Sequence, residues 1–192
     1  NYIFSFALLD YEKIVYPHLW VIANNHNVIS NQKKFILLFK AFLRAIYNSI
    51  FTYPSVKSSK SKKSNIFYIR AYHRNDLVKH SRHYEELDYT TVCIFKERKI
   101  KIDLFTIFYI IFFLLKFRKL WLKAYNNYGV NFFSLNGLKI IVILFDAFSD
   151  VLKISPVLLA HSKLVSFEEN VAVENIACQI ANNNKVETYA LQ

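Results

Sequence analysis

Apolar and polar positions alternate most legibly in the last part of the chain, residues 164–192. An apolar run, Leu164-Val165-Ser166-Phe167, gives way to apolar positions at helical spacing, Val171, Ile176 and Ile180. An Asn-rich stop, Asn182-Asn183-Asn184, and a second β-prone run over 186–191 follow. The pattern predicts strand, helix, strand. Ser166 and Glu169 make the S-x-x-E spacing of an N-terminal capping box, and Glu168, Glu169 and Glu174 set negative charge at the positive end of the helix dipole. Asn suits the helix end because it tolerates left-handed backbone.

Upstream, residues 2–27 carry apolar positions three and four apart and predict helix, with Pro17 at the first turn of a second piece, 18–25. A helix over 33–51 has Lys40, Arg44 and Asn48 on one narrow stripe and apolar residues elsewhere, so it is either largely buried or lies on a membrane. Tyr53-Pro54 ends it, and the Lys/Ser run 57–64 has nothing to bury and predicts a loop. A strand over 65–69, a short helix over 80–87 and a strand over 90–95 repeat the strand-helix-strand order. A long helix over 102–125 holds the apolar core 104–115, which spans roughly 18 Å against about 30 Å of bilayer hydrocarbon. It is too short to cross, and fits a core helix or an interfacial one with Trp121 and Tyr125 at the headgroup level. Asn136 caps a last apolar helix, 138–152, on which Asp146 and Asp150 stand four apart and read as a solvated stripe ahead of a metal-binding or acid/base pair, and Pro156 breaks it.

Strands written as continuous apolar runs between helices imply a parallel sheet covered on both faces. The expected fold is α/β, a Rossmann-like parallel sheet flanked by helices with additional N-terminal helices. One domain spans 1–192, helical over 1–52, a basic loop over 53–64 and α/β over 65–192. In such sheets ligands lie beyond the carboxyl ends of the strands. That rule selects Arg70, Tyr72, His73 and Arg74 after one strand, Lys96, Glu97 and Arg98 after the next, then Glu168, Glu169 and Asn170, and finally Gln192. Arg70, Arg74 and Lys96 can hold phosphate or carboxylate, while Glu168 or Glu169 can act as base toward a hydroxyl nucleophile. For Glu169, helix capping is an equal alternative.

The composition narrows the classes. A hydrophobic content of 54% and an aromatic content of 17% exclude a disordered chain. The net charge of +11 points to polyanions: nucleic acid, anionic lipid or phosphorylated substrate. Nucleic acid ranks last, because the aromatics cluster in apolar runs instead of alternating with Lys and Arg. Gly129 and Gly137 are the only glycines, which rules out a Gly-rich phosphate loop within these residues. Cys93 and Cys178 have no CxxC spacing and are expected as buried free thiols in a reducing compartment. His73, His80 and His83 with Glu85 and Glu86 lack a second half of zinc-site spacing, so no metal is expected, and His161 is expected to be structural. The chain begins at Asn1 and has no Met, which suggests a fragment.

The tail, Val165-Ser166-Phe167-Glu168-Glu169-Asn170, a helix, then Val186-Glu187-Thr188-Tyr189-Ala190-Leu191-Gln192, resembles the late N-terminal half of bacterial surface- and capsular-polysaccharide glycosyltransferases of the GT-B type. The resemblance covers about thirty residues well and the rest in outline. In that family a strand ending in leucine-glutamine is commonly followed by histidine and glycine at the cleft, and this chain stops before that pair. It implies the first of two Rossmann-like domains, on the acceptor side; the strand-end rule then makes Glu168 and Glu169 the catalytic candidates and Arg70, His73, Arg74, Lys96, Asn170 and Gln192 the substrate-binding ones. No cofactor is expected here; the nucleotide-sugar donor would bind mainly a missing C-terminal domain. The implied partners are a sugar or lipid-linked acceptor, that second domain and an anionic membrane surface, at a cytoplasmic location peripheral to the inner face. The alternative is a non-catalytic, membrane-associated basic binding module.

Overall fold

The computed structural model describes residues 9–10, 13–14, 31–58, 66–70, 91–116, 122, 126, 135–166 and 172–190. The chain is an α/β protein. In order it forms α1 (Asn31–Phe51), β1 (Thr52–Ser58), β2 (Ile66–Arg70), β3 (Thr91–Ile100), α2 (Phe105–Lys116), α3 (Leu135–Leu158), β4 (Lys163–Ser166), α4 (Ala172–Asn183) and β5 (Glu187–Ala190). One five-stranded sheet has the order β1-β3-β2-β4-β5. Strands β3, β2, β4 and β5 run parallel, and β1 pairs antiparallel with β3 at the edge.

Strand β2 explains why its sequence is uniformly apolar. Phe67, Tyr68 and Ile69 point alternately to opposite faces, yet all three are buried. Phe67 and Ile69 join Leu164 of β4 in a core cluster with α3 and α4.

Helix α3 is the hub of that core. Ile140, Leu144, Phe148, Val151, Ile154 and Leu158 are all buried, and the helix touches α1, α2, α4 and β1. A helix apolar on nearly every side has no face to give to water. The expected break at Pro156 does not occur: the helix runs through Pro156 to Leu158. Proline withholds its N–H and its ring crowds the carbonyl four residues back, a cost confined here to the last turn, and burial of Ile154 and Leu158 on either side holds the turn together.

The strand-helix-strand unit expected in the tail is present, with β4 and β5 parallel in the register Leu164↔Thr188 and Val165↔Tyr189. Its helix ends within the Asn run, but the left-handed residue is Lys185, at φ 63°. The Val186 N–H donates to Ala181 O at 2.9 Å and the Lys185 N–H to Asn182 O at 3.1 Å, the two bonds of a Schellman ending. Asn184 contributes by its side chain, with Nδ2 donating to Ile180 O at 2.7 Å. Glu174 lies in the first turn of α4 as expected, whereas Glu169 of the predicted capping box falls outside the described residues. Cys178 is half-buried, not fully buried, and its Sγ donates to Ser166 Oγ at 3.4 Å. His161 is structural: Nδ1 donates to Val157 O at 2.7 Å, and the ring stands edge-on to Phe67. Of the first predicted helix, Lys13 and Ile14 are described and helical, with Leu9 and Ile14 in the core. The short helix predicted over 80–87 lies outside the described residues.

The basic stretch after α1 departs most from expectation. Residues Thr52–Ser58 form β1, not a loop, and pair with β3 from Thr52↔Ile100 to Ser58↔Thr91. The register shifts between Pro54 and Ser55, where the missing proline N–H is tolerated in an edge strand. To pair with β1, β3 continues five residues past Phe95, its expected end, to Ile100.

Candidate functional site

Two places compete for the role of site. The first is the carboxyl edge of the parallel strands, where β2, β4 and β5 end at Arg70, Ser166 and Ala190. Arg70 is the last residue of β2, paired with Ile94 of β3. Lys96 does not follow the strand but lies within β3, two positions beyond Ile94 and so past the end of β2. The edge therefore brings Arg70 and Lys96 to neighbouring levels. His73, Arg74, Glu168, Glu169, Asn170 and Gln192 fall outside the described residues.

The second place is a charged junction where the extension of β3 crosses α1, β1 and α3. Arg98 was expected in a loop after the strand, but it lies inside β3 and faces α3. Its Nη1 donates to Asp150 Oδ1 at 2.9 Å and its Nη2 to Asp150 Oδ2 at 2.7 Å, a two-pronged pair. Nη1 also donates to Thr52 Oγ1 at 3.2 Å. Asp150 is fully buried and the Arg98 side chain 17% exposed. Asp146 stands 3.8 Å from Arg98 Nη2 and accepts from Asn48 Nδ2 at 3.5 Å. The expected solvated stripe of Asp146 and Asp150 is thus overturned: α3 turns it inward against Arg98 and α1.

Lys153 completes the junction. Its Nζ donates to Asn48 O at 2.9 Å and Thr52 O at 2.6 Å, carbonyls at the end of α1, and lies 5.2 Å from the centre of the Tyr53 ring. A cation there answers the negative end of the helix dipole and occupies acceptors that the helix leaves open. Ser49 Oγ donates to Ser149 Oγ at 2.9 Å in the same buried seam between α1 and α3. Asp103 begins α2, with the Thr106 N–H donating to Oδ1 at 3.2 Å and Thr106 Oγ1 to Oδ2 at 2.7 Å, and the Tyr53 hydroxyl donates to Oδ2 at 3.1 Å.

These contacts tune the ionisable groups. Burial and the neighbouring Asp150 push Asp146 up to about 6, against the opposing pull of Arg98, Asn48 and Arg44. Burial pushes Lys153 down to about 8, opposed by Asp150. Burial alone would raise Asp103, but the bonds from Thr106 and Tyr53, with Lys153 nearby, hold it below the usual carboxylate range. Asp146 is therefore a carboxyl that can exchange a proton near neutrality. Arg98 is committed to Asp150, so the junction reads first as a staple joining four elements.

A signal for it was present in the sequence. Asp146, Asp150 and Lys153 fall at i, i+4 and i+7 on one face of an otherwise apolar helix, a spacing that groups the three charges without saying whether they meet water or a partner. No group able to hold a metal occurs among the described residues. The fold and these two places define an α/β protein with a four-strand parallel layer and an antiparallel edge strand. Comparison with known proteins returns no matching family model, no similar curated protein and no similar solved structure.

Proposed function

We propose that this domain engages its ligand at the carboxyl edge of a Rossmann-like parallel layer, and that the ligand is the acceptor of a glycosyl transfer in surface polysaccharide biosynthesis. The observation that carries the first half is the common edge at which β2, β4 and β5 end, with cationic Arg70 and Lys96 at neighbouring levels. The second half rests on the tail, whose resemblance to the acceptor-side half of GT-B enzymes supplies the chemistry. Glu168 or Glu169 takes the proton of the acceptor hydroxyl as its oxygen bonds to the anomeric carbon and the nucleoside diphosphate leaves. A second domain would hold the nucleotide sugar, at a cytoplasmic membrane face.

Ligand-observed NMR on the chain tests this with two probes, a polyprenyl-diphosphate-linked sugar and a UDP-sugar. The lipid-linked sugar should bind, and Arg70→Ala with Lys96→Ala should weaken it roughly tenfold, as expected for lost charge-assisted bonds. Tighter binding of the UDP-sugar than of the acceptor, or transfer catalysed by this chain alone, would reverse the assignment. A second reading, a membrane-associated basic module without chemistry of its own, is favoured by the apolar side chains that α1 and α2 expose.

A further inference from the structure

The end of α1, the far end of β3 and the start of α2 meet at one corner. The Lys101 N–H donates to Phe51 O at 2.9 Å and the Asp103 N–H to Ile50 O at 2.8 Å, while Thr52 pairs with Ile100. Large apolar side chains are shown to solvent there: Tyr47 and Phe51 from α1, Ile100 (85% exposed) from the end of β3, Ile102 (66%) and Leu104 from the turn, and Phe108 (70%) from α2. The α1 part continues away from the corner as a stripe through Leu43, Phe39 and Ile36, all about half exposed. Isolated exposed apolar residues are ordinary, but a contiguous set drawn from three elements marks a contact surface.

The exposed charges on this surface are cationic, and Asp103, the one acidic residue of the turn, is taken up by Thr106 and the Tyr53 hydroxyl. Helix α1 exposes Lys40 and Arg44 and contains no acidic residue, and α2 contains none either. At the end of β3 and in the turn, exposed Lys99 and Lys101 alternate with Ile100 and Ile102. No helix among the described residues is long and apolar enough to cross a membrane, so the surface can lie on a bilayer without spanning it.

We infer that this corner docks the chain on an anionic lipid bilayer, with Ile100, Ile102, Leu104 and Phe108 entering the interface and Lys40, Arg44, Lys99 and Lys101 at headgroup level. A symmetric contact between two copies would set these cations against each other, which disfavours a dimer. Exposed aliphatic side chains offer hydrocarbon contact rather than base stacking, which disfavours nucleic acid. The inference rests on the membrane reading and not on sugar transfer. It also fixes an orientation: Ile100 is six positions beyond Ile94, so the docking corner lies on the carboxyl side of the sheet, roughly 20 Å along β3 from the end of β2.

Co-sedimentation of the full chain tests it without any sugar donor, so failure of sugar transfer leaves the result untouched. The vesicles are pure phosphatidylcholine or contain about one third phosphatidylglycerol. The chain should bind the anionic vesicles at least tenfold better, with binding falling as salt rises. Ile102→Asp with Phe108→Asp should lower that binding by roughly tenfold or more with the circular dichroism unchanged. Ile100→Ser, at the exposed last residue of β3, is a milder second variant that should lower it in the same direction. Lys40→Glu with Lys99→Glu should remove the preference for anionic lipid. Equal binding to both vesicles, none at low salt, indifference to the apolar substitutions, or a dimer abolished by Ile102→Asp would each overturn it.

Discussion

Two neighbouring regions of this molecule invert the usual partition of side chains. At the junction of α1, β1, β3 and α3 the chain buries Asp150, Lys153, Ser49 and Ser149, while a few residues away it presents Ile100, Ile102 and Phe108 to water. The buried charges are answered within the chain, Asp150 by Arg98 and Lys153 by two carbonyls. The exposed apolar residues are not covered by any of the described residues. Internal compensation marks the first region as architecture, and its absence marks the second as a surface for something else. The two regions are joined through Arg98, Lys99 and Ile100, consecutive residues of one strand that serve opposite ends. Substitutions should therefore separate them, with large stability effects in the first and small ones in the second.

The largest effect is expected at Asp150. Asp150→Ala leaves Arg98 in a mostly buried place, with the Asp146 carboxylate 3.8 Å from its Nη2. Loss of one partner of a buried pair should cost about 3–5 kcal/mol, read as a lower urea midpoint at unchanged slope. Arg98→Met combined with Asp150→Leu should recover most of this, because removing both charges removes the cost of burying them. If the single substitution is tolerated within measurement error, the junction is not a staple. Lys153→Met comes next. It strips the donor from Asn48 O and Thr52 O and should cost about 2–3 kcal/mol in the same assay.

Asp146 responds to pH. Its carboxyl holds a proton up to about pH 6 in the folded chain, whereas the ordinary value is 3.8. Between those values the folded state binds more protons than the unfolded state, so this group makes stability fall as pH rises. Asp146→Asn should flatten that fall and raise stability at pH 7 by about 1–2 kcal/mol, since the side chain is partly exposed and the amide oxygen still accepts from Asn48. Denaturant titrations at pH 4 and pH 7 check this, and an unchanged slope with pH would exclude Asp146 as the titrating group.

The same contrast explains what the sequence could and could not reveal. The tail was legible because local rules agree there: an apolar run at β4, a β-prone run at β5, helical spacing in α4 and a stop at the Asn run all point to one structure. The left-handed position at Lys185 was displaced from the Asn residues because the Schellman bonds set it by distance from the helix end, not by residue preference. Strand β1 was hidden because Pro54 and the lysines after it read as a loop, and only its long-range pairing with β3 makes it a strand. The junction was hidden for a related reason. Arg98 and Asp150 are distant in sequence, and charge spacing within a helix does not reveal whether its polar stripe meets water or a partner. The half-apolar character of α1 was visible, and the two alternatives it allowed are now reduced: Ala45 and Ser49 are buried toward α3, while Phe39, Leu43 and Tyr47 are exposed.

The smallest expected effect is the sharpest separation of the two regions. Ile100→Ser changes a side chain that is already 85% exposed, so folding stability should move by no more than about 0.5 kcal/mol. Its neighbour Arg98, two residues earlier in the same strand, belongs to the region where substitutions cost several times as much. If Ile100→Ser leaves the urea midpoint in place and still weakens vesicle binding, the residue acts on a contact outside the folded chain. A shift in midpoint comparable to that of Lys153→Met would instead make Ile100 part of the internal architecture, and the division between compensated and uncompensated regions would fail at the strand that joins them.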